Sequence, residues 1–276
     1  MNATPQGIVN IGNTCYINSV LQLFFQCHTI VHLILESNFN DSTVLFSLVE
    51  IIVKYFKNET PLNPHKFIKL TSKITYQQED AHEYLLHLLN LIDDELKKTG
   101  TTLSSLVKHK YLTLIQSVES DNSQKIQSQE LVLSLPIAES LQSAYQLYCQ
   151  EEIIEEWENE TKKFKAKKVN IVNSWPQYLF IVFKKYNNES KKIETEINIP
   201  IIWKIKNLHK NKVVLNIYKL KGVIIHEGNT HFGHYFTVLL REDKYYICDD
   251  MSVSEVEEKE ASELIKNAYI CLYELE

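Results

Sequence analysis

Apolar residues recur at helical spacing through the first half of the chain. Between Thr43 and Phe56 they occupy positions 45, 48, 49, 52, 53 and 56, which is the repeat of one helix face. Glu79–Leu96 has the clearest pattern, a single apolar stripe formed by Ala81, Tyr84, Leu85, Leu88, Leu89, Ile92 and Leu96. Asn13 or Thr14 can cap a further helix, and Asn63-Pro64 opens another with its proline in the first turn. The first half is therefore predicted to be helical.

Strand-forming residues dominate the last third of the chain. Runs rich in Val, Ile, Tyr and Phe alternate with turn residues, and the predicted turns are Asn187-Asn188 and Glu242-Asp243. The predicted strands are Tyr178–Phe183, Val213–Ile225, His234–Leu240, Tyr245–Cys248 and Tyr269–Leu275. Helices followed by strands indicate an α+β fold, and a cleft between a helical and a sheet part is a common place for a site.

The middle of the chain has weaker patterns. Leu131–Leu135 is predicted to be a strand that ends at Pro136, and the polar segment Ser117–Gln129 is predicted to be a loop or an exposed hairpin. Glu151–Lys168 is acidic first and then basic, which is typical of a solvated helix or of a hairpin. The pattern does not choose between these two structures.

Composition excludes several functional classes. The 276 residues are 44% hydrophobic with a net charge of -6, so a globular core is expected, and non-specific binding to nucleic acid or anionic membrane is not. Five cysteines without CxxC spacing favour free thiols over a disulfide framework or a cysteine-rich zinc site. The first residues are not expected to act as a secretory leader, and no apolar run reaches ~18 residues. We expect a soluble monomer in the cytoplasm, the nucleus or both, with no cofactor and no metal.

Cys15 and His234 are the candidates for chemistry. Cys15 stands at a predicted helix start, where free N–H groups and the helix dipole favour a thiolate nucleophile. The alternative is a small buried hydrophobic residue. His234 begins a strong strand beside Gly233, which allows close backbone approach, and it can take the thiol proton as a general base. The alternative for His234 is a surface histidine at a strand end.

Three further residues complete the candidate set. Asp249 and Asp250 end the next predicted strand, so a tight turn can bring one carboxylate beside the histidine to orient it; otherwise they form an ordinary turn. Asn10 lies five residues before the cysteine, and its amide can donate to a developing negative oxygen. The alternative for Asn10 is a turn residue.

The motifs around these residues resemble those of a known family. GIVNIGNTCYINSVLQ, at positions 7–22, resembles the cysteine box of the ubiquitin-specific proteases, which are papain-like cysteine deubiquitinases. HFGHYFTVL followed by YYICDDMSV resembles the histidine box of that family. QEDAHEYLLHLL is similar to its QQDAHEFL helix, and NAYICLY is similar to its terminal AYILFY strand. The matches follow the order of the family across nearly the whole chain.

The resemblance implies a papain-like α+β fold with thumb, palm and fingers in one catalytic domain that spans 1–276. The helical thumb would cover about 1–115, the fingers and part of the palm about 116–215, and the palm about 175–276. Many members bind a structural zinc at the fingertips through two CxxC pairs, which this chain lacks. Reduced fingers that are held by packing alone are therefore expected.

The resemblance also implies a role for each candidate residue. Cys15 would be the nucleophile, and His234 would be the general base and acid. Asp249 would orient the histidine, Asp250 would be an adjacent supporting residue, and Asn10 would be the oxyanion donor. The residues implied to bind the ubiquitin tail are Gln78, Asp80, Glu83, His231, Gly233 and Tyr235.

The activity that the resemblance implies is thiol-dependent hydrolysis of the isopeptide or peptide bond at the C-terminal glycine of ubiquitin, through a thioester. Ubiquitin and ubiquitinated proteins would be the partners. Carboxylates at Asp80 and Glu83 can pair with the arginines of the ubiquitin tail, although such residues are more often solvated helix charges. Two other functions stay open. One is a protease for another ubiquitin-like modifier, and the other is a ubiquitin-binding module without turnover.

Overall fold

Helices precede strands along the chain, as the sequence predicts. A computed structural model describes residues 4–38, 44–57, 62–72, 78–159, 162–186, 192–209, 212–229 and 233–276. The helices in these ranges are α1 (Cys15–Phe24), α2 (His28–Glu36), α3 (Val44–Lys57), α4 (His65–Thr71), α5 (Ala81–Lys97), α6 (Ser104–Val107), α7 (Leu141–Cys149) and α8 (Glu258–Ile265). The prediction of a helical first half is confirmed as far as α6, whereas the rest of that half, from His109 to Leu135, forms strands.

All the predicted strands are present, and the structure also contains strands that the pattern did not predict. They are β1 (His109–Ser117), β2 (Ser123–Glu130), β3 (Val132–Leu135), β4 (Glu152–Asn159), β5 (Lys162–Ser174), β6 (Tyr178–Phe183), β7 (Ile202–His209), β8 (Lys212–Gly228), β9 (Gly233–Arg241), β10 (Lys244–Asp249), β11 (Ser252–Val256) and β12 (Ala268–Leu275). The turn at Glu242-Asp243 has φ values of 48° and 62°, the left-handed pair that a two-residue hairpin turn uses. The predicted turn at Asn187-Asn188 lies outside the described residues.

The larger sheet brings two candidate residues to one edge. Its strand order is β11-β10-β9-β8-β12-β6-β3, with β7 paired to β8. The neighbouring strands run antiparallel, except that β3 and β6 are parallel. His234 stands near the start of β9 and Asp249 at the end of β10, and these two ends of antiparallel neighbours lie side by side. The connectivity therefore places the imidazole next to the carboxylate.

Apolar clusters cover both faces of the larger sheet. On one face, α1 and α5 pack against sheet residues such as Ile224 and Leu239, and every residue of α1 is buried. On the other face, α7 and α8 pack against a cluster that includes Trp203 and Tyr218. Burial on both faces explains why β6 is a continuous apolar run instead of an alternating one. In the described ranges no single helix is long and apolar enough to cross a membrane; only α1 and α2 taken together, bent by 89°, reach that length and composition.

The smaller sheet consists of two hairpins with the order β2-β1-β5-β4. Both Ser117–Gln129 and Glu151–Lys168 contribute to these hairpins, so the hairpin alternative is correct for each segment. Glutamates of β4 face lysines of β5, which explains the acidic-then-basic sequence. A small apolar cluster packs one face of this sheet and contains Ile115, Trp157 and Ala166, with Ile154 and Phe164 beside them. The division into thumb, fingers and palm with the stated boundaries stays a prediction.

A buried polar network joins the helices to the larger sheet. Arg241, the only arginine of the chain, lies at the end of β9 and is buried. Its Nε donates to Gln26 Oε1 at 2.8 Å, and its Nη2 donates to the Tyr55 hydroxyl at 2.9 Å. The Tyr55 hydroxyl donates in turn to Gln22 Oε1 at 2.8 Å. Because buried polar groups need partners, this network fixes how α1 and α3 sit on the sheet.

Close packing between β8 and β9 requires a glycine at position 233. A Cβ on Gly233 would overlap His226 Nε2 and would lie 2.7 Å from the carbonyl oxygen of Glu227. The His226 ring stacks on Tyr235 with 4.4 Å between the ring centroids, and its Nδ1 lies 3.0 Å from the Tyr186 hydroxyl. The predicted close backbone approach at Gly233 is thus confirmed by the Glu227 carbonyl oxygen. The His226 ring occupies the rest of the space that a Cβ would take.

Gly233→Ala is expected to lower the free energy of unfolding by about 1–3 kcal/mol, because the added methyl group overpacks the contact with His226. Urea denaturation of the two single variants, Gly233→Ala and His226→Ala, and of the double variant checks this. In the background without the imidazole, Gly233→Ala should cost less than it does in the parent chain. Equal costs in the two backgrounds would show that the imidazole does not occupy the space.

Candidate active site

Cys15 is the first residue of α1, and a tight loop leads into it. Gly12 has φ 111° and Asn13 has φ 52°, both in the left-handed region. The Asn10 side chain closes this loop, since its Oδ1 accepts from the backbone N–H of Gly12 at 2.9 Å and from the Thr14 hydroxyl at 3.1 Å. Thr14 is the N-cap residue, but its side chain makes no capping bond to the helix. The loop thus holds Asn10 within a few ångströms of the start of the helix.

The Cys15 thiol is buried and surrounded by N–H donors. Its side chain belongs to the core, and the residue is 3% exposed. Burial raises the pKa of the thiol above its ordinary value, and the backbone N–H of Tyr235, the amide of Gln78 and the backbone N–H of Tyr16 oppose part of that rise. The Gln78 Nε2 lies 3.0 Å from Sγ. Desolvation therefore opposes the thiolate that the helix start alone would favour.

His234 and Asp249 form a short hydrogen bond. His234 Nε2 lies 2.6 Å from Asp249 Oδ1, and both side chains are partly exposed. An ionised carboxylate only accepts, so the proton of this bond belongs to Nε2, and Nδ1 is the ring nitrogen that remains for a second partner. The Tyr235 backbone, which directly follows His234, reaches the sulfur of Cys15. The structure therefore brings Cys15, His234 and Asp249 to one place.

Asp250 connects the strand end to the helices. Its Oδ2 accepts from the Asn10 amide at 2.7 Å, and its Oδ1 accepts from the Asn18 amide at 2.7 Å. Its carbonyl oxygen accepts from the backbone N–H of Ile8 at 2.8 Å, and its φ of 50° is left-handed. Sequence reasoning missed Asn18, although a polar residue in a helix that is buried all round was an available signal. Asp250 thus lies between the sheet and the loop that carries Asn10.

The residues predicted to bind a ubiquitin tail are only partly gathered at one surface. Glu83 is exposed in the first turn of α5, whereas Asp80 is the N-cap of that helix and accepts from the backbone N–H of His82 at 2.7 Å. The Tyr269 hydroxyl also donates to both Asp80 oxygens, at 3.0 and 2.9 Å. Sequence reasoning missed Tyr269.

The other predicted tail residues have different surroundings. Gln78 contacts the nucleophile, and Gly233 begins β9 over the His226 ring. Tyr235 is 4% exposed, so most of its ring is inside the protein. His231 lies outside the described residues.

His234, Asp249 and Asp250 also have the spacing of a metal-ligand set. One candidate ligand atom from each lies within 4.8 Å of the others. These atoms already have protein partners, since Asp249 accepts from the imidazole and both Asp250 oxygens accept from amides. The arrangement is that of a hydrogen-bonded site, and it fits the chemistry of a thiol and a base.

Solved structures have the same fold. The SAGA DUB module Ubp8/Sgf11/Sus1/Sgf73 bound to monoubiquitin contains a chain that matches with a TM-score of 0.84 and 21% identity, covering 98% of this chain and 69% of that one. The same module bound to ubiquitin aldehyde matches with a TM-score of 0.81 and 21% identity, over the same shares of the two chains. The predicted papain-like α+β fold is thereby confirmed.

Curated relatives carry one name. Ubiquitin carboxyl-terminal hydrolase 36 of Drosophila mojavensis is 26% identical over 313 residues, which cover 98% of this chain and 26% of the relative. The protein of the same name from Drosophila ananassae is 26% identical over 311 residues, which cover 98% of this chain and 28% of the relative. The chain spans about a quarter of the length of the curated relatives that it matches.

A family model decides the classification. The model described as "Ubiquitin carboxyl-terminal hydrolase" matches residues 6–273, a range that contains Asn10, Cys15, His234 and Asp249. The resemblance to ubiquitin-specific proteases is thus confirmed over nearly the whole sequence. The chain belongs to the ubiquitin carboxyl-terminal hydrolase family.

Proposed function

We propose that this protein is a deubiquitinase that hydrolyses the isopeptide or peptide bond at the C-terminal glycine of ubiquitin. The observation that carries the proposal is the meeting of a buried thiol and an oriented imidazole where the helices join the sheet. Cys15 accepts from the Tyr235 backbone, and the adjacent His234 is bound by Asp249 at 2.6 Å. Family membership and the ubiquitin-bound structural neighbours support ubiquitin as the ligand.

The reaction needs a base, because burial raises the pKa of the Cys15 thiol and so disfavours the thiolate. His234 Nδ1 takes the proton from Cys15 Sγ, and Asp249 stabilises the imidazolium and holds the ring in place. The thiolate attacks the carbonyl carbon of the terminal glycine and forms a tetrahedral intermediate. The imidazolium then gives its proton to the leaving amine, which leaves a thioester. Water, activated by the same imidazole, hydrolyses the thioester and regenerates the thiol.

Asn10 is proposed to stabilise the oxyanion. One N–H of its amide donates to Asp250, so the second N–H of the same group is directed by that bond. A donor that is already oriented costs no reorganisation when negative charge develops on the substrate oxygen. We propose that Asp250 is a positioning residue, because it fixes the Asn10 amide and anchors it to Asn18.

The ubiquitin tail is proposed to lie between the start of α5 and the start of β9. Glu83 is exposed there and can pair with an arginine of the tail. Asp80 is proposed to orient the first turn of α5 and to add negative charge, since its oxygens are occupied by Tyr269 and by the helix N–H groups. Gly233 adds no side chain of its own beside the path, and the His226 ring fills the space that its Cβ would take.

The two other functions are separable from this one by experiment. Another ubiquitin-like modifier with a Gly-Gly end would suit the same site, and hydrolysis of a panel of modifier fluorogenic substrates distinguishes it. A binding module without turnover would bind ubiquitin and leave all of these substrates intact. A reducing compartment such as the cytoplasm or nucleus suits a reaction that depends on a free thiol, and the five cysteines are unpaired.

A ubiquitin that carries a C-terminal electrophile is expected to label the protein at Cys15. Cys15→Ala should abolish labelling, because no other described group occupies the nucleophile position. Cys149→Ser is the matched control, since Cys149 lies at the end of α7 and should leave labelling intact. Mass spectrometry of the adduct checks the site. Labelling that persists in Cys15→Ala would exclude the proposed nucleophile.

Asp249→Asn is expected to lower kcat about 10²- to 10⁴-fold, because a neutral amide neither selects the reactive tautomer of His234 nor stabilises its charged form. The loss should appear in kcat with little change in KM, since Asp249 is not among the residues proposed to bind the tail. Steady-state hydrolysis of a ubiquitin fluorogenic substrate measures both constants. A variant that keeps its full kcat would remove Asp249 from the mechanism.

Asp250→Ala is expected to lower kcat by about 10- to 10³-fold, because the Asn10 amide loses its anchor. Asp250→Asn is the matched comparison: it retains one acceptor oxygen and should lose less activity. If Asn10→Ala and Asp250→Ala act through the same donor, the double variant should be no slower than the slower single variant. Additive losses in that cycle would contradict the positioning role of Asp250.

A further inference from the structure

One neutral side chain touches the nucleophile from the helical side. Gln78 Nε2 lies 3.0 Å from Cys15 Sγ, and it is a side-chain donor to that atom. The sequence resemblance assigned Gln78 to the ubiquitin tail, not to the sulfur. A group in contact with the reacting atom can alter the chemical step itself, so its effect need not be limited to substrate affinity.

The local structure fixes where Gln78 stands. It comes two residues before Asp80, which caps α5 and accepts two hydrogen bonds from the Tyr269 hydroxyl of β12. Asp80 is therefore attached both to a helix start and to the larger sheet. The short connection leaves the Gln78 side chain directed at the first residue of α1. The contact with Cys15 is thus supported by rigid elements on both sides.

The surroundings of the Cys15 sulfur disfavour its thiolate, so a hydrogen-bond donor to the sulfur has a large effect. Burial raises the pKa of Cys15, and the negative charge of Asp250 raises it further. The groups that lower the pKa are three neutral N–H donors, from Tyr235, Gln78 and Tyr16. Two of them are backbone groups that every sequence would supply. Gln78 is the member of the set that depends on the side chain at its position.

We propose that Gln78 is a further catalytic residue of this deubiquitinase, whose amide N–H stabilises the Cys15 thiolate. This role in catalysis rests on the proposed deubiquitinase function. In the step concerned, the S–H bond of Cys15 breaks and its proton moves to Nδ1 of His234, while the electron pair stays on sulfur. The Gln78 N–H donates to that sulfur before and after the transfer. No redox partner or further reactant takes part.

The test measures the thiol without ubiquitin. Iodoacetamide alkylation of Cys15, followed across pH by mass spectrometry of the Cys15 peptide, gives the midpoint of thiol ionisation. Gln78→Leu should raise that midpoint by about one pH unit, and the alkylation rate at neutral pH should fall about ten-fold. Gln78→Glu has the same size, but it replaces the donor with a negative charge, so its midpoint should rise further.

A matched control separates this role from a general effect of the substitution. Gln127→Leu makes the same change on the exposed strand β2, and its midpoint should equal that of the parent protein. Thermal unfolding of each variant verifies that it is folded. If Gln78→Leu does not fold, the midpoint of Gln78→Glu alone tests the proposal. Parent-like midpoints in both folded Gln78 variants would overturn the proposal.

A second measurement distinguishes a tail-binding role. At saturating concentrations of a ubiquitin C-terminal electrophile, Gln78→Leu should lower the maximal rate of Cys15 modification about ten-fold. A loss that disappears at saturation would show that Gln78 only binds the tail, and it would overturn the proposal. The alkylation result does not depend on the substrate, so a failure of the proposed function would appear in the ubiquitin reaction alone.

Discussion

The carboxylate of Asp250 is the constraint on which the site depends. Cys15 belongs to α1, and His234 belongs to β9, more than 200 positions later. Asp250 receives the amides of Asn10 and Asn18 at 2.7 Å each, and its backbone oxygen receives the N–H of Ile8. Three bonds at one residue fix the helix start relative to the end of β10. Apolar contacts between the two layers are less directional than these bonds.

A second polar junction supports the first from inside the core. Arg241 links the last residue of β9 to Gln26 and Tyr55. Asp250 joins the same two layers at the more exposed end of their interface. Each is a buried or partly buried charge with amide or hydroxyl partners. Removal of one partner would leave a polar group desolvated, which costs more than the net value of one hydrogen bond. The position of α1 on the sheet is thus specified at two points, and the apolar surface between them supplies most of the stability.

Local patterns predicted much of the fold because the predicted helices bury at least one face and the predicted strands bury one or both faces. α5 follows its apolar stripe, and β6 follows its unbroken apolar run. β7 was missed even though Trp203 and Ile205 are buried and alternate with exposed Lys204, because the segment is rich in charge. β11 was missed for a different reason, since it has no buried residue to produce a pattern.

The site was predictable only as far as the motifs extend. Cys15, His234 and Asp249 each lie at the end of an element that the sequence predicts, and the fold brings these ends together. The link from Asn18 to Asp250 joins residues 232 positions apart, and the link from Tyr269 to Asp80 joins residues 189 positions apart. No local pattern encodes such pairs. The raised pKa of Cys15 was also outside the reach of the sequence, because it depends on the depth of burial, which the helix start does not reveal.

The burial of Cys15 and the raised pKa of its thiol have a consequence for its reaction with oxidants. Peroxide oxidises the thiolate and hardly reacts with the thiol, so a cysteine with a raised pKa is converted slowly to sulfenic acid. Its 3% exposure also limits the access of larger oxidants. The burial that raises the pKa of Cys15 therefore also protects its sulfur against oxidation.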